Sequence, residues 1–206
     1  MVDYLSIDET EEEYSLSFRF VSNCRPQARL KKFHSLRQVY PIIAFGKCIS
    51  SNDTYSLDAR IHSTAKCDRQ SSCESLYLST SKFYLAFESQ TCKDYVTEKF
   101  WRTLSVGAIP IVSGPERTDF ARLAPPHSFV HVDDYSSDDE LARALNSIAT
   151  NRTLFRQYHQ WRRYYDVLYQ SKEVDPYRFC ELCYRLNSNQ QRIWYENINQ
   201  WFLEKC

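Results

Sequence analysis

Residues 92–115, CKDYVTEKFWRTLSVGAIPIVSGP, decide how the rest of the chain is read. Asp94 is a residue type that caps helices. After it Tyr95, Val96, Phe100, Trp101 and Leu104 recur along a helical segment until Gly107 supplies a stop. The apolar run at 108–112 that follows, turned by Gly114-Pro115, has the character of a strand buried on both faces. Upstream, residues 82–88 (KFYLAFE) form a second nearly continuous apolar run. Strand, helix, strand in this order is the repeating unit of a parallel sheet.

The same alternation extends outward. Residues 16–22 (LSFRFVS) alternate like a strand, 26–40 carry Leu30, Phe33 and Leu36 on one helical face, and 42–45 form a short strand closed by Gly46. Residues 47–75, rich in Cys, Ser, Asp and Asn, read as a loop region stapled by disulfides. Beyond the central unit, 128–132 (SFVHV) is a further strand, and 136–140 (SSDDE) opens a helix through Leu141, Leu145 and Ile148. Repeated alternation predicts an α/β domain, a Rossmann-like parallel sheet with helices on both faces and right-handed crossovers. From about Leu154 the pattern is helical, and the aromatic stripes of Phe155, Tyr158, Trp161 and Tyr165, then Ile193, Trp194, Ile198, Trp201 and Phe202, are expected to be core.

At 206 residues and 43% hydrophobic, the chain can bury a proper core. Lys plus Arg and Asp plus Glu are both 26, so no net field draws it to nucleic acid or to an anionic membrane, and charge chemistry must be local. The acidic run at 8–13 (DETEEE) reads as a solvated edge. Eight cysteines together with sequons at Asn52 and Asn151 point to an oxidising secretory compartment and to disulfides rather than zinc. Of the pairings, only Cys180 with Cys183 is expected from the sequence. No run approaches 18 apolar residues and no signal peptide opens the chain, so neither anchor nor leader is expected in the sequence as it stands. The five histidines read as structural or surface residues.

Ligands of open parallel sheets bind beyond the carboxyl ends of the strands, where helix N-termini also point. Glu88 sits at such a strand end, and 94–99 lead into the following helix. A helix N-terminus favours phosphate, Lys99 one turn in adds a full positive charge, and Glu98 can accept hydrogen bonds from the paired hydroxyls of a ribose. Adjacent Glu98 and Lys99 would then divide a nucleotide between them. A solvated Glu-Lys pair on an exposed helix face is the alternative. Glycines stand only at 46, 107 and 114, so neither a G-x-G-x-x-G nor a Walker loop exists, and the lack of Asp-x-Asp disfavours a carboxylate-held metal.

Taken together, the ordered segments FVSNC (20–24) with Arg29 and Leu30, FGKC (45–48), KFYLAFE (82–88), DYVTEKFWR (94–102), GAIPIV (107–112), Gly114-Pro115, PPHSFVHVDDY (125–135), Trp161-Arg162-Arg163 and Cys180-x-x-Cys183 resemble glycosyltransferase family 10, the α1,3-fucosyltransferases. The resemblance implies the C-terminal, donor-binding lobe of the two-lobed GT-B fold. It divides the chain into an acidic extension at 1–19, a GDP-fucose-binding domain at 20–186 and a helical tail at 187–206.

In the site it implies, Tyr95, Glu98 and Lys99 contact the nucleotide sugar, with Glu98 on ribose hydroxyls, Lys99 on the diphosphate and Arg29 on the diphosphate as well. Glu88 and Ser89 join the donor-binding set, although Ser89 stands where the family usually has asparagine. The implied reaction is inverting transfer of fucose from GDP-fucose to a glycan hydroxyl, typically the 3-hydroxyl of N-acetylglucosamine, with no cofactor and no metal. The general base belongs to the acceptor lobe, so no catalytic base is assigned here. Family members are Golgi membrane proteins with a lumenal catalytic part, whose anchor precedes the acceptor lobe. A chain without these parts is expected to be a C-terminal fragment, an incomplete gene product or a short isoform. Two further readings stand beside this one: fucose transfer to protein hydroxyls, as some relatives perform, and a non-catalytic GDP-sugar-binding module.

Overall fold

Five parallel strands, β1 (Ser17–Phe20), β2 (Ile42–Phe45), β3 (Phe83–Phe87), β4 (Ile109–Ser113) and β5 (Val130–His131), form one sheet in the order β2-β1-β3-β4-β5. The structure is a computed structural model that describes residues 17–20, 23–48, 67–68, 71–169, 174–188, 194–204 and 206. The acidic run at 8–13, the Asn52 sequon, His62, Ile193 and most of the segment predicted as a stapled loop lie outside the described residues. Eight helices accompany the strands among the described residues: α1 (Gln27–Val39), α2 (Ser72–Thr80), α3 (Glu98–Val106), α4 (Arg117–Leu123), α5 (Asp138–Thr150), α6 (Arg152–Gln157), α7 (Val174–Ser188) and α8 (Ile198–Leu203).

β3 is the centre of the sheet and explains the layers on either side. Its side chains alternate: Phe83, Leu85 and Phe87 join one cluster with Phe33 and Leu36 of α1 and Leu141, Leu145 and Ile148 of α5, while Tyr84 and Ala86 join the other with Leu78, Phe100, Leu104 and Phe120 of α2, α3 and α4. A strand covered on both faces has no polar side to show, which is why this segment reads as a continuous apolar run. Each residue of β3 pairs in register with β4, from Phe83 opposite Ile109 to Phe87 opposite Ser113. Polar bonds tie the layers together. Arg102 of α3 places both guanidinium arms on the buried Glu74 of α2, at 2.9 and 2.5 Å, and Lys32 of α1 meets Asp138 of α5 at 2.5 Å. Ser137 caps α5 by accepting from the Glu140 N–H, and Glu140 reaches back to the N–H of Ser136.

Several expectations need correction. The helix foreseen from Asp94 starts four residues later, at Glu98, with Thr97 as its N-cap residue. Asp94 instead adopts φ +65°, a left-handed conformation that Asp tolerates better than most residues, and pairs with Arg122 of α4. The strand at 128–132 pairs only through Val130 and His131 before a 3-10 turn at Val132–Asp134. α2 begins in the stretch read as loop and runs on to Thr80, because its serines dilute the apolar periodicity of Leu78, which is buried in the core, and of Cys73 and Tyr77, which pack against it.

The late aromatic stripes divide. Trp161 is buried and Phe155 and Tyr158 pack on the core, but Tyr165, Trp194, Ile198 and Phe202 are half exposed or more. Among the described residues, the core clusters on the two faces of the sheet draw on α1 to α6 and include none of these four. Cys180 and Cys183 are not joined to each other but are exposed free thiols on α7. An unbroken helix holds side chains three apart at about 5–6 Å between Cβ atoms, beyond the roughly 3.5–4.5 Å that a disulfide spans. The bridges that form are Cys24–Cys48, Cys67–Cys73 and Cys92–Cys206.

His159 is buried beside the Phe155 ring. Burial, with the Arg162 guanidinium beside it, pushes its imidazole down to about 4. Between that value and the ordinary imidazole value of about 6.5, the unfolded chain binds a proton that the folded chain does not, so stability falls as pH falls through this window. Urea unfolding at pH 7 and pH 4.5 is expected to show a loss on the order of 2–3 kcal/mol from this group, and His159→Gln flattens the dependence.

Candidate functional site

The strand order reverses between β1 and β3: α1 leads from β1 to β2 on one side, and α3 leads from β3 to β4 on the other. Such a reversal opens a crevice at the carboxyl ends of the two strands, the usual ligand position of open α/β sheets. The helices that begin there, α1 and α3, carry Arg29 and Lys99 in their first turns. Arg29 reaches back over its helix, and its Nη2 donates to the carbonyl of Asn23 at 2.5 Å in the loop after β1.

At the end of β3 the Glu88 side chain is fully enclosed, with 0% exposure. Its Oε1 accepts from the Thr97 N–H and from the Thr97 hydroxyl, each at 2.8 Å, and its Oε2 meets the Lys99 ammonium at 2.8 Å. Lys99 also donates to the Thr97 hydroxyl oxygen. With its hydroxyl turned to Glu88, Thr97 makes no side-chain cap on α3, so the first-turn N–H groups of that helix keep the anion-attracting character of an uncapped end. Glu98 stands next to this cluster, half exposed at 51%, with its carboxylate 3.8 Å from the ammonium. Ser89 and Tyr95 join their hydroxyls at 3.2 Å across the same loop.

The expected site residues thus fall into three groups. Glu88, Glu98 and Lys99 gather at the tip of α3, Ser89 and Tyr95 pair beside it, and Arg29 heads the helix across the switch point. Glu88 differs from its expected part, because it is enclosed and turned to protein partners. Thr97 is the residue that sequence reasoning missed; its only signal was a hydroxyl directly before the Glu98-Lys99 pair. Glu98 and Thr97 also line a groove of about 700 Å3 that continues past Trp101 and Arg122 to Tyr165 and Tyr169. Among the described residues, no group of three or more His, Cys, Asp or Glu is placed to hold a metal ion. Asn151 is exposed, and its Oδ1 caps α6 by accepting from the Leu154 N–H.

Two disulfides fasten the rim of this crevice. Cys24–Cys48 joins the loops after β1 and β2, and Cys92–Cys206 joins the loop after β3 to the segment following α8. The neighbouring loop after β4 presses in at Gly114, which has φ +134°. A Cβ there would lie 2.8 Å from Glu88 Cβ and 2.9 Å from the Gln90 carbonyl.

A parallel sheet with an uncapped helix end, a lysine and a neighbouring carboxylate at its switch point has the form of an open α/β ligand-binding domain, and comparison with known proteins narrows it. The family model for the C-terminal domain of glycosyltransferase family 10 (fucosyltransferase) matches residues 10–201. The chain belongs to this family.

It is 32% identical over 190 residues to glycoprotein 3-alpha-L-fucosyltransferase A of Drosophila melanogaster, covering 89% of this chain and 34% of that one. It is 34% identical over 178 residues to human alpha-(1,3)-fucosyltransferase 4, covering 85% of this chain and 30% of the relative. A solved α1,3-fucosyltransferase with GDP-fucose superposes with a TM-score of 0.59 at 19% identity, over 90% of this chain and 50% of that one. The same enzyme type with GDP gives 0.60 at 20% identity, with the same coverage. The fold is therefore that of a GT-B-type α1,3-fucosyltransferase lobe, and the chain spans half or less of the length of these relatives.

Gly114→Ala is expected to lower stability by about 1–3 kcal/mol through strained backbone and the approach to Glu88, measured by urea unfolding. Gly114→Ser should behave alike, since the obstacle is the Cβ itself.

Proposed function

We propose that this chain supplies the GDP-fucose-binding lobe of an α1,3-fucosyltransferase acting on glycans. The observation that carries this reading is the gathering of Glu98 and Lys99 at the uncapped tip of α3, at the switch point of a family 10 domain. The Lys99 ammonium and the Arg29 guanidinium take the diphosphate, and Glu98 accepts from the ribose hydroxyls. The Ser89–Tyr95 pair lies on the loop between β3 and α3, and Tyr95 contacts the nucleotide sugar.

In the reaction, an acceptor hydroxyl, the 3-hydroxyl of an N-acetylglucosamine residue, attacks fucose C1 from the face opposite GDP. The C1–O bond to the β-phosphate breaks, the acceptor proton passes to a base outside this chain, and GDP leaves with its electron pair. Positive groups fixed at the diphosphate stabilise the charge that grows on the leaving group, an effect of roughly 3 kcal/mol per well-placed donor. Side chains and a helix end hold the donor, without a resident cofactor or metal. Three disulfides fit a lumenal, oxidising setting, and we place this lobe on the lumenal side of the Golgi membrane, with Asn151 and Asn52 as glycan acceptors. Among the described residues no helix is long and apolar enough to cross a membrane.

Calorimetric titration with GDP tests the site directly. Lys99→Ala is expected to weaken binding at least about tenfold, or 1.4 kcal/mol, with the fold intact by circular dichroism; unchanged affinity would remove Lys99 from the donor site. Incubation with GDP-fucose and an N-acetylglucosamine-containing acceptor separates the enzyme reading from that of a binding module, since measurable transfer excludes the latter.

A further inference from the structure

We propose that Glu88 is a positioning residue for the donor: it acts through Lys99, holding the ammonium at the tip of α3 with the Thr97 hydroxyl as the joint, and does not itself meet the nucleotide. This rests on the reading of that tip as the diphosphate site.

The enclosure of Glu88 is the first ground. With 0% side-chain exposure it cannot reach a ligand, and both of its oxygens are already engaged by Thr97 and Lys99. Proton counting gives the second. The Thr97 hydroxyl has one proton, which goes to Glu88, so its oxygen is left to accept from Lys99. An ammonium has three donors. Glu88 and Thr97 take two, and Glu98 at 3.8 Å lies outside hydrogen-bond distance, which leaves the third donor for an incoming oxygen.

The third ground is rigidity. Glu88 is held by its own backbone, whose N–H donates to Ser113 at 2.7 Å, and by the close approach of Gly114. A lysine stem in water samples many rotamers and must surrender them on binding; one pinned at two points has surrendered them before the ligand arrives. The arrangement also explains why a carboxylate can stand near an anion site: its charge is matched by the ammonium it holds, and the helix end and Arg29 supply further attraction.

The test is a double-mutant cycle read by GDP calorimetry on the wild-type chain, Glu88→Gln, Lys99→Ala and the double variant. Glu88→Gln is expected to weaken GDP binding about tenfold in the wild-type background and less than about twofold in the Lys99→Ala background. Thr97→Ser, which keeps the hydroxyl, should bind like wild type, whereas Thr97→Val should lose several-fold. A readout without nucleotide accompanies these: acetylation of Lys99 by an activated ester, followed by mass spectrometry, is expected to be faster in Glu88→Gln than in wild type.

Equal weakening by Glu88→Gln with and without Lys99, tighter binding, or unchanged Lys99 labelling would overturn the proposal. If Lys99 loses protection in Glu88→Gln while the wild-type chain binds no GDP, the donor-site reading fails, and with it the claim that this positioning serves the donor. Thr97→Ser and Thr97→Val keep the test decisive should Glu88→Gln not fold.

Discussion

A carboxylate sealed inside a protein is tolerated only when its charge and its lone pairs are both met, and at the end of β3 Glu88 is met by one residue's backbone and hydroxyl and by another's ammonium. Removing one partner of such a buried pair generally costs about 3–5 kcal/mol. The three residues therefore behave as one unit that joins the end of the central strand to the start of α3. Because α3 packs on the sheet through Phe100 and Leu104 and is tied to α2 through Arg102 and Glu74, the direction of its amino end is set from both sides. The crevice owes its shape to that fixed direction.

The same unit accounts for the division of labour between neighbouring side chains. Glu98, one residue after the cap position, is half exposed and open to solvent, while Lys99 folds back to the strand end. Consecutive residues in a helix diverge by roughly a quarter turn or more, so an adjacent acid and base can serve two different parts of one bound molecule. Arg29 stands in the first turn of α1, the helix on the other side of the switch point.

Much of this was legible in the sequence. The apolar runs of β3 and β4, the stop at Gly107 and the polar opening of α5 each follow from burial or from capping, which act locally and leave a local trace. The adjacency of Glu98 and Lys99 at a strand-to-helix junction was enough to suggest a nucleotide, and the wider set of segments suggested the family. What could not be read depends on distant partners. The delayed start of α3 follows from Glu88 drawing on the N–H of Thr97, nine residues away, and the left-handed turn at Asp94 goes with its pairing to Arg122, 28 residues away. Eight cysteines allow 105 pairings, and only the folded sheet brings Cys24 and Cys48 to adjacent strand ends. The aromatic residues of the last helices looked like core because periodicity records a face without saying whether anything covers it.

The bond between Cys92 and Cys206 spans 114 positions of sequence and lands two residues before the turn at Asp94. Tethers over about a hundred residues restrict the unfolded ensemble by an amount on the order of 4–5 kcal/mol in chain-entropy terms. The local effect is different in kind. Fraying of α8 cannot release Cys206 from the β3–α3 connection, so the end of that helix stays beside the rim of the crevice even when its own hydrogen bonds open.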